Sequence, residues 1–188
     1  MRLLLLTLLL TGVGCGRPAD APAEKSPAPA AATQALDRAQ IIKNLVAHAE
    51  EIRRVEASED YERLADLTHP AAIRQLGGRA QAMKTVREAM GELNKLKAAG
   101  IRFKPSTIRE PLGVIESNGK WYGVVPYDWA LIDPDGTQED NTSNLFGESV
   151  DGGRTWTFVD GEGMGGDRAK LKQVMPDFPN SLPVPASK

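Results

Sequence analysis

From about Thr33 the apolar residues recur at helical spacing. Ile42, Leu45, Val46, Ala49, Ile52 and Val55 fall on one face, and Lys43, Asn44, Glu50, Glu51, Arg53 and Arg54 fill the other. That is the pattern of a long amphipathic helix with a partner surface to cover. Ser58 is the expected N-cap of the next helix, with Glu59 and Asp60 in a first turn whose dipole favours acids. Tyr61, Leu64 and Leu67 make the apolar face of that short helix. Thr68-His69-Pro70 interrupts it, because proline disfavours helix in the residue before it. Pro70 can then open a further short piece, which Gly77-Gly78 ends. Met83, Val86, Met90 and Leu93 mark another long helix, Arg79 to Ala99. Gly100 is its expected left-handed cap, with Ile101 folding back onto the helix end.

At Ile101 the period changes from helical to alternating. Ile101, Phe103 and Thr107 outline a first strand and Leu112 to Ser117 a second. Asn118-Gly119 is a strong hairpin signal and predicts a type I′ turn. Lys120 to Ile132 returns as a long strand in which Gly123 and Pro126 predict a bulge or bend. Asp133-Pro134-Asp135-Gly136 is another turn, and Thr137 to Val150 the next strand. Glu148 to Asp160 then reads as a closing hairpin. Asp151-Gly152-Gly153-Arg154 turn, and Thr155 to Val159 return with β-branched and aromatic residues. Beyond Gly161 the chain is rich in Gly and Pro. Arg168 to Val174 has room for one or two helical turns, and Pro176 to Pro185 reads as extended, with Phe178 and Leu182 as its apolar contacts.

Helices first and a meandering antiparallel sheet afterwards give an α+β fold, with one sheet face on the helices and the other wetter. The organisation is 1–14, 15–33, 34–161 for the folded domain, and 162–188 for a Gly/Pro-rich extension. The 188 residues are 41% hydrophobic and 26% charged, enough for one ordinary core, and the net charge of −2 leaves no basic footprint for nucleic acid.

The single cysteine changes the picture at the N-terminus. Met1-Arg2 is a positive start, Leu3 to Leu10 is almost wholly apolar, and Thr11-Gly12-Val13-Gly14 leads to Cys15. The run falls short of the roughly 20 residues of a membrane span and reads as an export signal. It resembles a bacterial lipoprotein signal, although Gly12 stands where that signal usually has Leu. The resemblance implies lipidation of Cys15, anchoring to the cell envelope and, because Gly16 is not an acid, outer-membrane sorting in a two-membrane bacterium. Gly16 to Ala32, rich in Pro and Ala, has too few large apolar side chains to fold and reads as a tether.

Two resemblances bear on the folded part. Long helix, short helices, long helix and then about four strands, with Y-x-x-L-x-D-L-T-H-P (Tyr61 to Pro70) and L-G-G-R (Leu76 to Arg79), resembles the nuclear transport factor 2-like, or cystatin-like, superfamily. It implies a cone whose curved sheet wraps the helices, a pocket between them, and a homodimer through the sheet as one option. The superfamily holds ketosteroid isomerases, polyketide cyclases and many binding modules, so it does not decide function. S-V-D-G-G-R-T-W, Ser149 to Trp156, resembles the Asp-box, S-x-D-x-G-x-T-W, a structural hairpin of sialidases and other β-proteins. It implies a turn-bonding Asp151 and a packed Trp156.

Candidate chemistry is sparse. Neither of the two histidines, His48 and His69, has a second histidine or a cysteine at metal-ligand spacing, and no glycine-rich phosphate loop follows a strand. His69 is expected to cap the turn after it. As a pocket base it would titrate near neutral pH. Asp66, Glu116, Asp128, Glu148 and Asp160 are the acids in or beside predicted elements, and the bulge predicted at Gly123 to Pro126 leaves open which face inward. Tyr61, His69, Tyr127 and Trp129 are the candidate ligand-binding residues, for an unidentified small molecule or protein. The expectation is a non-enzymatic binding module without cofactor or metal. The alternative is an isomerase- or cyclase-type enzyme acting on a small apolar molecule, with His69 or an inward acid as base and Tyr61 or Tyr127 as donor.

Overall fold

The computed structural model describes residues 36–162 and 164–186. The expected signal, Cys15 and the expected tether lie outside them. Four helices come first: α1 (Arg38–Ser58), α2 (Tyr61–Leu67), α3 (Pro70–Gln75) and α4 (Arg79–Ala98). Five strands follow, β1 (Arg102–Ile108), β2 (Gly113–Ser117), β3 (Lys120–Ile132), β4 (Gln138–Ser149) and β5 (Thr157–Asp160), and then α5 (Arg168–Val174). The fold is α+β with one antiparallel sheet ordered β1-β3-β4-β5, β2 also pairing with β3. The chain from Leu36 onward forms one compact unit.

Local rules place most element ends. Asp37 caps α1 by accepting from the Gln40 N–H at 2.7 Å. The buried stripe of α1 is Ile41, Leu45, Ala49, Ile52 and Val55, so it starts at Ile41 rather than Ile42, and Ile42 and Val46, expected on it, flank it half-buried. Ser58 is not a cap. It is the last residue of α1, Glu59 closes that helix at φ 59°, and Asp60 caps α2 through the Arg63 N–H at 3.1 Å. Ser and Asp are equally good caps, and the left-handed turn at Glu59 hands the role to Asp60. Pro70 opens α3, where its missing N–H costs nothing. Gly100, at φ 92°, and Ile101 close α4 with paired bonds, Gly100 N–H to Lys97 O and Ile101 N–H to Leu96 O, a Schellman cap that buries Ile101.

Asn118 and Gly119 both have positive φ, as a type I′ turn demands. The bulge predicted in β3 is not there, since β3 and β4 pair without a break from Trp121↔Ser149 to Ile132↔Gln138. Pro126 is accommodated differently. Its carbonyl accepts from the Arg109 N–H, so its N–H-less side faces the stretch between β1 and β2 where β3 needs no donor. Gly123 answers to packing, because a Cβ there would collide with Leu45 of α1. The register shift falls instead on edge strand β1, between Lys104 and Thr107, a span that contains Pro105.

With β3 continuous, its faces are fixed. Val125 and Tyr127 pack with Leu45, Ile52, Leu67, Leu145, Trp156 and Phe158, with Trp121 and Trp129 partly buried against them. Tyr122 and Val124 point the other way, with Phe146 and Val159. That second face was expected to be the wetter one. It is covered by Leu171, Val174, Met175, Phe178 and Leu182, and the Phe178 ring meets Tyr122 and Phe146 edge-on at 5.9 and 5.6 Å between centroids. Phe178 is 1% exposed, so this Gly/Pro-rich segment is core.

The closing hairpin is a side-chain-built turn. Asp151 Oδ1 accepts from the Ser149 hydroxyl and from the Arg154 and Thr155 N–H groups, and Oδ2 from the Thr155 hydroxyl at 2.6 Å. Those bonds hold its carboxyl below the usual range, although burial alone would raise it. Thr155 therefore belongs to the turn, and β5 starts at Thr157 rather than Thr155. Trp156 enters the core at 1% exposure. Asn44 of α1 donates to Gly153 O at 2.9 Å, which ties helix to turn.

Candidate functional site

The fold does not gather the four candidate residues into one pocket. His69 lies beside Glu148, which stands opposite Tyr122 in the β3–β4 register and so on the face covered by the C-terminal segment. Tyr127 is on the α1 face. Tyr61 stacks loosely under Arg87 of α4, at 5.7 Å, and Trp129 is half-buried at the edge of the α1-side core. Of the five candidate acids, Asp66 pairs with Arg79 at the surface, Glu116 is exposed, and Asp128 accepts from Thr142. Only Glu148 and Asp160 turn inward, one on each face.

On the α1 face Asp160 is the centre of a charged cluster. Arg53 Nη2 reaches Asp160 Oδ2 at 2.7 Å while Arg53 Nη1 pairs with Glu56 at 2.9 Å. The Tyr127 hydroxyl donates to the same carboxylate at 2.8 Å, and the Glu162 N–H at 2.9 Å. The guanidinium also lies 4.0 Å over the Tyr127 ring. Burial and Asp160 both push the Tyr127 hydroxyl up. Burial would lower Arg53, but Glu56 and Asp160 outweigh it and raise it. Burial, with Asp160 and Glu162 near, pushes Glu56 up to about 7 against the pull of Arg53. A third of the Glu56 side chain still meets water, which screens that push. The Asp160 oxygens are thus well supplied with donors, an arrangement that clasps α1 to the sheet. Arg53 was read as a solvent-face residue, yet its side chain is only 12% exposed. Its position four residues after Ala49, along one edge of the buried stripe, is the signal that marks it.

On the other face a cleft of about 270 Å3 opens between α3, the ends of β3, β4 and β5, and the C-terminal segment. Glu148 forms its floor at 11% side-chain exposure, with His69 Nε2 at 3.5 Å and Lys120 Nζ at 3.4 Å. Burial would raise Glu148, but His69 and Lys120 together hold it below the usual carboxylate range. His69 Nδ1 accepts from the Ala71 N–H at 3.3 Å, the cap of α3. Its ring proton therefore sits on Nε2, toward Glu148, and neither nitrogen offers a lone pair for general-base work. A shallower groove of about 550 Å3 runs between α1 and the β1–β2 connection, walled by Ile42, Val46, Ile108 and Val114 with Arg38 and Arg109 beside them. Lys120 and Asp177, which complete the first cleft, carry no mark in the sequence beyond being charged.

Among the described residues no group of three or more His, Cys, Asp or Glu could hold a metal ion, and no helix is long and apolar enough to cross a membrane. Comparison of the chain with protein-family models, with curated proteins and with solved structures finds no match. The functional reading therefore rests on the residues themselves.

Proposed function

We propose that the chain is an exported, lipid-anchored binding module that uses its surface clefts, on a cone of the nuclear transport factor 2-like kind. The cone is supported by the order of elements and by α1 lying on one face of the sheet. The observation that carries the binding reading is the filling of the space between α1 and the sheet. Leu45, Ile52, Leu67, Trp156 and Phe158 occupy it at 4% exposure or less, so the place where an isomerase-like relative would hold an apolar substrate is solid core. The anchor is supported by the run from Met1 to Cys15 and the Pro/Ala tether after it.

Cell fractionation tests the anchor. Wild type should sediment with membranes and Cys15→Ser should not, and wild type in the soluble fraction would overturn it. A second, enzymatic reading is favoured by one observation, the Tyr127–Asp160 hydrogen bond, an acid–tyrosine pair on the inner face. Proton exchange into a simple cyclic enone, monitored by NMR, separates the two. Binding predicts exchange at the uncatalysed rate. Exchange that wild type accelerates and Asp160→Asn abolishes would select the enzyme.

A further inference from the structure

The Glu148 cleft is loosely satisfied by the standard the same molecule sets elsewhere. Arg53–Asp160, Arg63–Glu51, Arg79–Asp66 and Lys95–Glu92 pair at 2.6 to 2.7 Å, and the long pairs elsewhere, Lys84–Glu88 at 3.9 Å and Arg109–Asp128 at 3.6 Å, join side chains that are about half or more exposed. The short separations are those of tight charge-assisted hydrogen bonds. Glu148 is more buried than any carboxylate in these pairs, yet its partners stand back, with the His69 Nε2 at 3.5 Å and the Lys120 Nζ at 3.4 and 3.5 Å from its two oxygens. Lys120 also stands 3.6 Å from Asp177. One ammonium is thus stretched between two carboxylates and bonds neither tightly. The buried Tyr122 hydroxyl, across the register from Glu148 and pushed up by burial and by Glu148, also lies beside it without a short hydrogen bond. A buried carboxylate whose ionic contacts are long has unmet capacity to accept.

Lys120 is easily moved. It is the first residue of β3, directly after the Asn118-Gly119 turn, and its side chain is 34% exposed. The walls of the cleft combine the apolar Pro70, Val174, Pro176 and the 70% exposed Val150 with Thr155 and Thr157. Such walls suit a methylene stem, and two carboxylates suit a planar fork of N–H donors better than a single ammonium. Arg74 also lines the cleft and adds a positive charge, so the site has room for one cation only once Lys120 has swung out.

The geometry points to a receptor for one arginine side chain of a partner protein, its guanidinium bridging Glu148 and Asp177 and its stem lying along Pro176, with Lys120 as the internal plug it displaces. This rests on the binding-module reading and gives its cleft a partner chemistry.

The test is a titration of the full chain with the blocked peptide acetyl-Gly-Arg-Gly-amide, its neutral citrulline counterpart and free arginine, followed by NMR at the Met175 methyl. Lys120→Met keeps the stem and removes the plug, and should bind the arginine peptide at least tenfold more tightly than wild type. Glu148→Gln should weaken it at least tenfold, and the citrulline peptide should not bind. Equal affinity of Lys120→Met and wild type, or of the arginine and citrulline peptides, would overturn the proposal. Free arginine binding more tightly than the blocked peptide would overturn a protein partner. Should Glu148→Gln fail to fold, the Lys120→Met comparison decides alone. A flat titration counts against the cleft and leaves the anchor standing, whereas Cys15→Ser fractionation bears on the anchor and leaves the cleft standing.

Discussion

At the scale of single residues, charge is handled in opposite ways on the two faces of the sheet. Glu56 shares one guanidinium with Asp160 and has Glu162 nearby, so burial and like charge raise it from the ordinary 4.5 to about 7. A carboxyl whose folded value stands above its unfolded one binds more protons folded, and stability falls as pH rises through that interval. Thermal melts of Glu56→Gln and wild type check this. The difference in Tm should move in favour of the variant between pH 5 and pH 8 (roughly the span of the two values,), and movement the other way would contradict the cluster as described. Glu148 runs the reverse course, since it is held low. Glu148→Gln should be destabilising at neutral pH and converge with wild type in acid. The residue type of Arg53, Glu148 and Asp160 was plain in the sequence. Their burial was not, because it depends on which elements meet.

At the scale of elements, local chemistry was legible and long-range chemistry was not. The Asn118-Gly119 turn, the Gly100 cap, the His69-Pro70 break and the limits of β3 follow from rules that act within a few residues. Ser58 failed because two good caps stood two residues apart. The bulge at Pro126 failed because the gap between β1 and β2, which makes it unnecessary, is a tertiary fact. The Asp151 hairpin shows the other side of the same rule, since the bonds of its Asp151 carboxylate are all local and its motif could be read directly. Two adjacent glycines there separate turn from packing. Both have positive φ, but a Cβ on Gly153 would stand 2.7 Å from Ile41 carbons of α1, whereas one on Gly152 would meet only the flexible Arg154 guanidinium. Gly152→Ala should cost about 1 kcal/mol for its left-handed backbone, and Gly153→Ala about 1 to 3 kcal/mol more for overpacking. Urea denaturation midpoints rank them, and equal costs would mean that α1 does not press on the turn.

At the scale of the whole molecule, the C-terminal segment was the least legible part, because its composition is that of a loop while its few large apolar residues are core. Leu171, Met175, Phe178 and Leu182 cover a sheet face that would otherwise expose Tyr122, Val124 and Phe146. Phe178→Ala should therefore cost about 3 to 5 kcal/mol, and an unchanged Tm would make the segment an appendage. Trp156→Ala should cost a similar amount from the opposite face, a fall of about 10 °C in Tm at this size. With both faces covered and the space under α1 filled, the binding and anchoring we propose fall to the surface clefts and the N-terminus. The claim that the chain is delivered to a membrane by its own N-terminus is tested most directly by mass spectrometry of the mature protein. The account predicts a first residue Cys15 carrying a diacylglycerol. A mature chain that retains Met1, or one that begins at an unmodified Cys15, would contradict it.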